Sequence, residues 1–427
     1  MPAQLRAAPH PEIDDRPEFD LAAAGVVLRR RFPDLPRHFL FEYYPWYANR
    51  PFRHWDQWDR RPPLDLASAY VPRLGAYDSR SLRVIEQHAR WILETGVGAV
   101  NLSWWGPDSF SDRAVPRVMD VMRAHGIRVA FHLEPYRRDH IAHFVANVGY
   151  LLRRYGDRRG WDALLRLRDA DGTERILFKV FRSILPETVV DCRGMTLPVR
   201  DYVPDATWRG QIEAARREYE RSIGKITVLA NSTNLPRARD AGFDGLAVHD
   251  NYFDPPRWAR LAAASRRYGL LFSFSVNPGH DEIVRRTLPA DGCYVAPAFE
   301  PSGQVLDWRD PAAREEARRL SERRVRESLE ATLALQMHPR LENGTRGFLA
   351  VYINSFNEWH EGHQFEPMKD QRDLTPAERA LGYHNPADGR YRLQRLEELL
   401  GAVVSPPRVV ESGSDAGLRL RSCAEAP

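Results

Sequence analysis

The 427-residue chain is 43% hydrophobic and 11% aromatic, enough apolar material for one large core or two ordinary ones. Its 62 Lys and Arg against 58 Asp and Glu leave a formal net charge of +4, too little for this length to mark a nucleic-acid binder. The positive charge is nearly all arginine, Lys179, Lys225 and Lys369 being the lysines, which reads as coding bias rather than a phosphate-binding patch. Cys192, Cys293 and Cys423 are odd in number and widely spaced, so neither a disulfide framework nor a zinc knuckle is expected. The first twenty residues are acidic and proline-rich, and "LAAAGVVL" (21–28) is too short to span a membrane and lacks signal flanks. The expectation is a cytoplasmic protein with no membrane or nucleic-acid partner.

Residues 1–36 lack sustained periodicity and read as an arm or a short helix. Strand-like apolar runs then appear at 38–47, 96–106, 126–136, 175–184, 225–233, 242–251, 268–279 and 347–359. The fourth fits least well, because Lys179 and Arg182 sit awkwardly in a buried strand. Between most of them lie helical periods that end on glycine, as in "SRSLRVIEQHARWILETG" and "DPPRWARLAAASRRYG". The segment 310–336 is a long Arg- and Glu-rich helix. Eight strands alternating with helices mean a parallel sheet, and eight strands can close a (β/α)8 TIM barrel. The expected organisation is an N-terminal arm at 1–36, a single barrel domain at 37–404 and a disordered tail at 405–427.

Four prolines punctuate strand ends in "YYP", "WGP", "LEP" and "VNP". They place Tyr44, Gly106, Glu134 and Asn277 at the carboxyl rim, where barrel enzymes build their sites. Five polar or aromatic clusters converge there: Tyr43 to Tyr47, Ser103 to Gly106, His132 to Tyr136, Asp250 to Tyr252, and Asn357 to Glu361. Aromatic platforms beside carboxylates suit sugars, which offer C–H faces for stacking and hydroxyls for hydrogen bonds. The candidate sugar-binding residues are Tyr44, Trp46, Trp105, His132, Glu134, Tyr136, Tyr252, Asn357, Trp359 and His360. For each cluster taken alone, core packing is the alternative.

The run "NSFNEWHEGHQFEP" (354–367) follows the eighth strand. A continuing strand would point Glu358 and Glu361 to opposite faces, whereas a turn starting at Glu358 brings both carboxylates to one side, with Gly362 permitting the bend. Two carboxylates at a glycosidic bond are the usual equipment of glycoside hydrolysis. A hydrogen-bonded rim loop with one structural carboxylate is the alternative. "HEGH" is not the HExxH zinc motif, and no metal or other cofactor is expected, although a zinc-dependent hydrolase using His360 and His363 stands as a further reading.

In this order, "YYPWY", "LSWWGP", "GIRVAFHLEPY", "SVNPGHDE" and "NSFNEWHEGHQFEP" resemble the motifs of glycoside hydrolase family 99, over roughly residues 38–370. The resemblance implies a (β/α)8 barrel and retaining, metal-independent endo-hydrolysis of α-mannosides. It implies Glu358 as the base that deprotonates the substrate's own 2-hydroxyl to give a 1,2-anhydro sugar, and Glu361 as acid and then base. Glu134, Tyr44, Trp105 and Tyr252 would line the sugar site. Departures at Ala48, Asn277 and His280, at "KVFRS" and at "AVHDNYF" fall in the substrate-shaping loops and bear on mannose specificity. The rival from another class is a non-hydrolytic sugar-binding barrel in a polysaccharide or glycosylated-metabolite pathway.

Overall fold

A computed structural model describes residues 19–136, 143–156, 159, 161–249, 254–285, 287 and 297–405. Its centre is a barrel of eight parallel strands: β1 Phe39–Tyr43, β2 Ala99–Trp104, β3 Arg128–Leu133, β4 Glu174–Val180, β5 Lys225–Ala230, β6 Gly245–Val248, β7 Leu271–Phe274 and β8 Val351–Ile353. Seven fall within the runs expected from sequence, and β4 starts one residue ahead of its run at 175–184. The hydrogen-bonded order is β7-β6-β5-β4-β3-β2-β1-β8. Val276, just beyond β7, closes the ring: its N–H donates to the Tyr352 carbonyl at 2.9 Å and its carbonyl accepts from Asn354 N–H at 2.8 Å.

The strands read as continuously apolar because both faces are covered, yet their inward positions change character along the barrel axis. Leu40, Ala99, Ala130, Leu177, Leu229, Ala247, Leu271 and Ala350 belong to one buried apolar cluster that fills the lower barrel. Two residues further along several of the same strands come Glu42, Asn101, His132, Lys179, His249 and Tyr352. A period of two keeps these side chains on the inner face, so the interior passes from apolar at the bottom to polar at the top. The outward positions pack on the helices in a second, larger core.

The helix Leu21–Arg31 packs against the last helix, Tyr391–Val404, and Arg29 donates to the Val403 carbonyl at 2.5 Å. Next along the chain, the Pro36 carbonyl accepts from Gly98 N–H at 2.7 Å and His38 Nδ1 meets the Leu349 carbonyl at 2.8 Å. Both partners precede their strands, so residues 36–38 cover the amino-terminal end of the barrel. The expected tail lies, from residue 406 on, outside the described residues. Cys192 is disulfide-bonded, a link that the odd number and wide spacing of the cysteines did not suggest. Spacing along the chain is no guide to which cysteines the fold brings together. Among the described residues no helix is long and apolar enough to cross a membrane.

Candidate active site

The carboxyl rim is organised by the turn after β8. Phe356 N–H donates to the Glu42 carbonyl at 2.8 Å, Glu358 N–H to Ser355 Oγ at 2.8 Å, and His360 N–H to Glu358 Oε1 at 3.0 Å. The chain therefore leaves the strand direction before Glu358 and turns over 359–362, as the sequence reading expects of a working pair. Gly362 has φ +65°, and a Cβ there would come within 2.3 Å of the Asp281 carbonyl oxygen, so only glycine fits this close approach. The 281–283 segment is laced to the turn by Asp281 N–H to the Glu361 carbonyl at 2.9 Å and Ile283 N–H to that of His360 at 3.0 Å.

The two carboxyls have different surroundings. The Glu358 side chain is 5% exposed, and burial, with the charges of Glu361 and Glu134, pushes its carboxyl well above the usual carboxylate range. The Glu361 side chain is 41% exposed and accepts a hydrogen bond from His363 Nε2 at 2.9 Å. Burial works against its ionisation too and is the largest single influence, but the bond from His363 together with the surrounding imidazoles of His363, His249 and His280 outweighs it and holds this carboxyl below the usual range. The two surroundings thus push the carboxyls of the pair in opposite directions, Glu358 up and Glu361 down. His249, at the end of β6, completes this side; burial lowers it to about 3, so it is neutral.

Below the pair lies a charge network that the sequence did not reveal. Glu42 Oε1 accepts from Lys179 Nζ at 2.5 Å, and its Oε2 accepts from Asn101 at 3.0 Å and contacts His132 Nδ1 at 3.1 Å. All four residues are at most 1% exposed. Strand register assembles them: Glu42 stands opposite Asn101 in β1–β2, and His132 opposite Lys179 in β3–β4. Burial opposes the Glu42 charge, and Lys179 and then His132 overcome it, keeping the carboxylate ionised. Beside the network Glu134, also buried, accepts from Ser103 Oγ at 2.8 Å, and the same oxygen of Ser103 accepts from Trp105 Nε1 at 3.1 Å.

An aromatic wall closes the third side. Trp46 stacks on His54 with centroids 4.6 Å apart and 8° between planes, lies 4.7 Å from Tyr44, and stacks at 6.1 Å on His360. A carboxyl pair with one member enclosed and one open, an acidic floor and stacked aromatics at the rim of a (β/α)8 barrel form the outline of a glycosidase cleft. The profile of glycosyl hydrolase family 99 matches residues 36–292, more than half of the chain. The chain belongs to glycosyl hydrolase family 99.

Among its relatives, the "Glycoprotein endo-alpha-1,2-mannosidase-like protein" of Danio rerio is 30% identical over 372 residues, 78% of this chain and 72% of that one. The "Glycoprotein endo-alpha-1,2-mannosidase" of Mus musculus is 26% identical over 398 residues, covering 86% and 75%. The fold is similar to that of the family 99 endo-alpha-mannosidase of Bacteroides thetaiotaomicron, with TM-score 0.59, 21% identity and coverage of 87% and 99%.

Within this family 99 barrel the expected site residues separate into three groups. Glu358, Glu361, Glu134, Tyr44, Trp46, Trp105, His132 and His360 surround the cleft. Asn357 and Trp359 do not line it, a correction: the Asn357 amide is spent on Tyr44 N–H and C=O, at 2.7 and 3.0 Å, clipping the β1 loop to the β8 turn. Trp359 is fully buried behind the turn and donates to Glu366 Oε2 at 2.9 Å. The Tyr136 hydroxyl donates to Asn147 at 2.7 Å, and its ring fills the space over Gly106. The third group, Tyr252 with Asp250 and Asn251, lies outside the described residues. The further reading of paired zinc ligands at His360 and His363 also fails, because His360 Nε2 meets the His54 carbonyl at 2.9 Å while His363 turns to Glu361.

Proposed function

We propose that this family 99 glycosidase is a retaining endo-hydrolase of α-mannosides in which Glu358 and Glu361 act on adjacent atoms of one sugar ring. Glu358, as carboxylate, takes the proton of the substrate's own 2-hydroxyl, and that oxygen attacks the anomeric carbon. Glu361, as acid, protonates the departing glycosidic oxygen, leaving a 1,2-anhydro sugar. Water then opens the three-membered ring with Glu361 as base, while Glu358 returns the proton to O2 and retention results.

The observation that carries this reading is the asymmetry of the pair: two carboxyls on one turn, one enclosed and raised, one 41% exposed and lowered. Substrate supplies what moves the proton. A hydroxyl donating to Glu358 stabilises its charge, and a sugar covering Glu361 removes water from it and raises its pKa. Trp46 Nε1 and His132 Nε2 are buried without a partner among the described residues, and sugar hydroxyls are suitable completions. Specificity for mannose draws on the likeness to the endo-alpha-1,2-mannosidase relatives.

The test is reducing-end release from α-1,2- and α-1,3-linked manno-oligosaccharides by wild type and Glu361→Gln. Release by wild type alone supports the reading. Binding of the same sugars without release by either protein replaces it with the sugar-binding barrel.

The expected cytoplasmic location meets a counter-observation in the Cys192 disulfide, which favours an oxidising compartment. Thiol titration of the unfolded, unreduced protein decides the covalent question. One free thiol of the three cysteines supports the disulfide, and three free thiols restore the cytoplasmic reading.

A further inference from the structure

Glu361 is flanked by two histidines that the hydrolytic scheme does not use. His249 from the end of β6, Glu361 and His363 each bring a ligand atom to within 4.8 Å of the other two. His363 Nε2 and Glu361 Oε2 are already 2.9 Å apart, and the two imidazoles stand 6.0 Å apart at 73°. Tetrahedral zinc ligation at about 2.0–2.1 Å sets ligand atoms about 3.3 Å from one another, so the existing pair is near that spacing, while His249, whose Nε2 meets the Asn354 amide at 3.3 Å, completes the group. His249 Nδ1 and His363 Nδ1 are both buried without a hydrogen-bond partner among the described residues.

We infer that His249, Glu361 and His363 form a binding site for a borderline divalent transition ion of the zinc class, and that its occupancy shuts the hydrolase off. Two imidazoles and one carboxylate select such an ion over magnesium or calcium, which take oxygen ligands. The surrounding charge favours a cation. Glu134, Glu282 and Glu358 stand near, and Lys179, whose charge bears on His249, is paired with Glu42. The consequence for catalysis is direct: a carboxylate oxygen that binds the ion can neither deliver a proton to the glycosidic oxygen nor take one from water. This part rests on the acid and base role proposed for Glu361.

The test is calorimetric titration of chelator-stripped, full-length protein with Zn2+, with Mg2+ as control, alongside hydrolysis rates at each zinc level. One zinc per chain is expected, with no heat from Mg2+. His249→Ala and His363→Ala should each weaken binding by at least about tenfold, while His125→Ala, whose ring pairs with Glu86 on the outer helices, should not change it. Glu361→Gln, which keeps the shape of the side chain, should weaken it as well, and circular dichroism checks that each variant is folded. Absence of stoichiometric binding, or binding that survives both histidine substitutions, overturns the site. Binding with the expected ligand dependence but an unchanged hydrolysis rate overturns the shut-off. Zinc-free protein that binds zinc and never hydrolyses mannosides sinks the proposed function and leaves the site standing.

Discussion

Glu42 and Glu358 are both enclosed in the upper barrel, about one layer apart, and their environments treat them in opposite ways. Glu42 is met by an ammonium, an amide and an imidazole, and stays ionised despite burial. The Glu358 carboxyl accepts from the His360 backbone N–H and has beside it only the neutral His360 ring and two further carboxyls, so its pKa rises. Burial alone therefore does not set the charge of a carboxyl; the partner does. A neutralised glutamate is structural, and a glutamate left with an unresolved charge can exchange protons with a substrate.

Substitutions that exchange these roles test the contrast. The largest effect is expected at the rim, where Glu361→Gln or Glu358→Gln should lower kcat by about 10²–10⁴-fold with the fold intact, the usual size for loss of general acid–base catalysis. Steady-state kinetics beside a thermal melt checks both halves. At the floor the pattern should invert. Glu42→Gln strands the Lys179 charge in the interior and should cost about 3–5 kcal/mol of stability. The pair Glu42→Gln with Lys179→Met should recover part of that loss, and denaturant titration of the single and double variants reads it.

A smaller effect concerns pH. Below about 4.3, the ordinary glutamic acid value, folded and unfolded chains both protonate Glu358 and it costs nothing. Above that value the unfolded chain ionises first, so stability drains away until the folded group also ionises at its raised pKa. Glu358→Gln should thus be more stable than wild type near pH 7, and the advantage should close below about pH 4. Melting curves across that range that run parallel would refute the assignment of the proton to Glu358. The smallest effect is expected at Ser103, whose hydroxyl joins Glu134 to Trp105. Ser103→Ala should lose about 1 kcal/mol, the net value of a typical hydrogen bond, seen as a raised KM with kcat nearly unchanged.

The barrel was legible because its signals are local: eight apolar runs, glycine at helix ends, proline at strand ends. Glu358 and Glu361 were legible for the same reason, their spacing and Gly362 being readable as a turn. What escaped depends on register across strands. Lys179 looked like a flaw in β4 and is the cation that holds Glu42, a residue on β1, three strands away in the hydrogen-bonded order. A lone lysine in an otherwise apolar strand was the available signal, and it asks for a buried carboxylate on another strand. Trp359 and Asn357 were read as sugar contacts because they sit beside the glutamates in sequence, yet a turn points neighbours in different directions. Their polar atoms face the chain itself.

The account's central claim is the division of labour between Glu358 and Glu361. It is tested most directly by comparing two α-mannosyl substrates that differ only in leaving group, an alkyl sugar alcohol and fluoride, with Glu358→Gln and Glu361→Gln. Fluoride departs without needing a proton, so the loss caused by Glu361→Gln should shrink sharply on the fluoride substrate. The loss caused by Glu358→Gln should stay the same on both. Equal losses on both substrates for Glu361→Gln, or relief on fluoride for Glu358→Gln instead, would contradict the assignment.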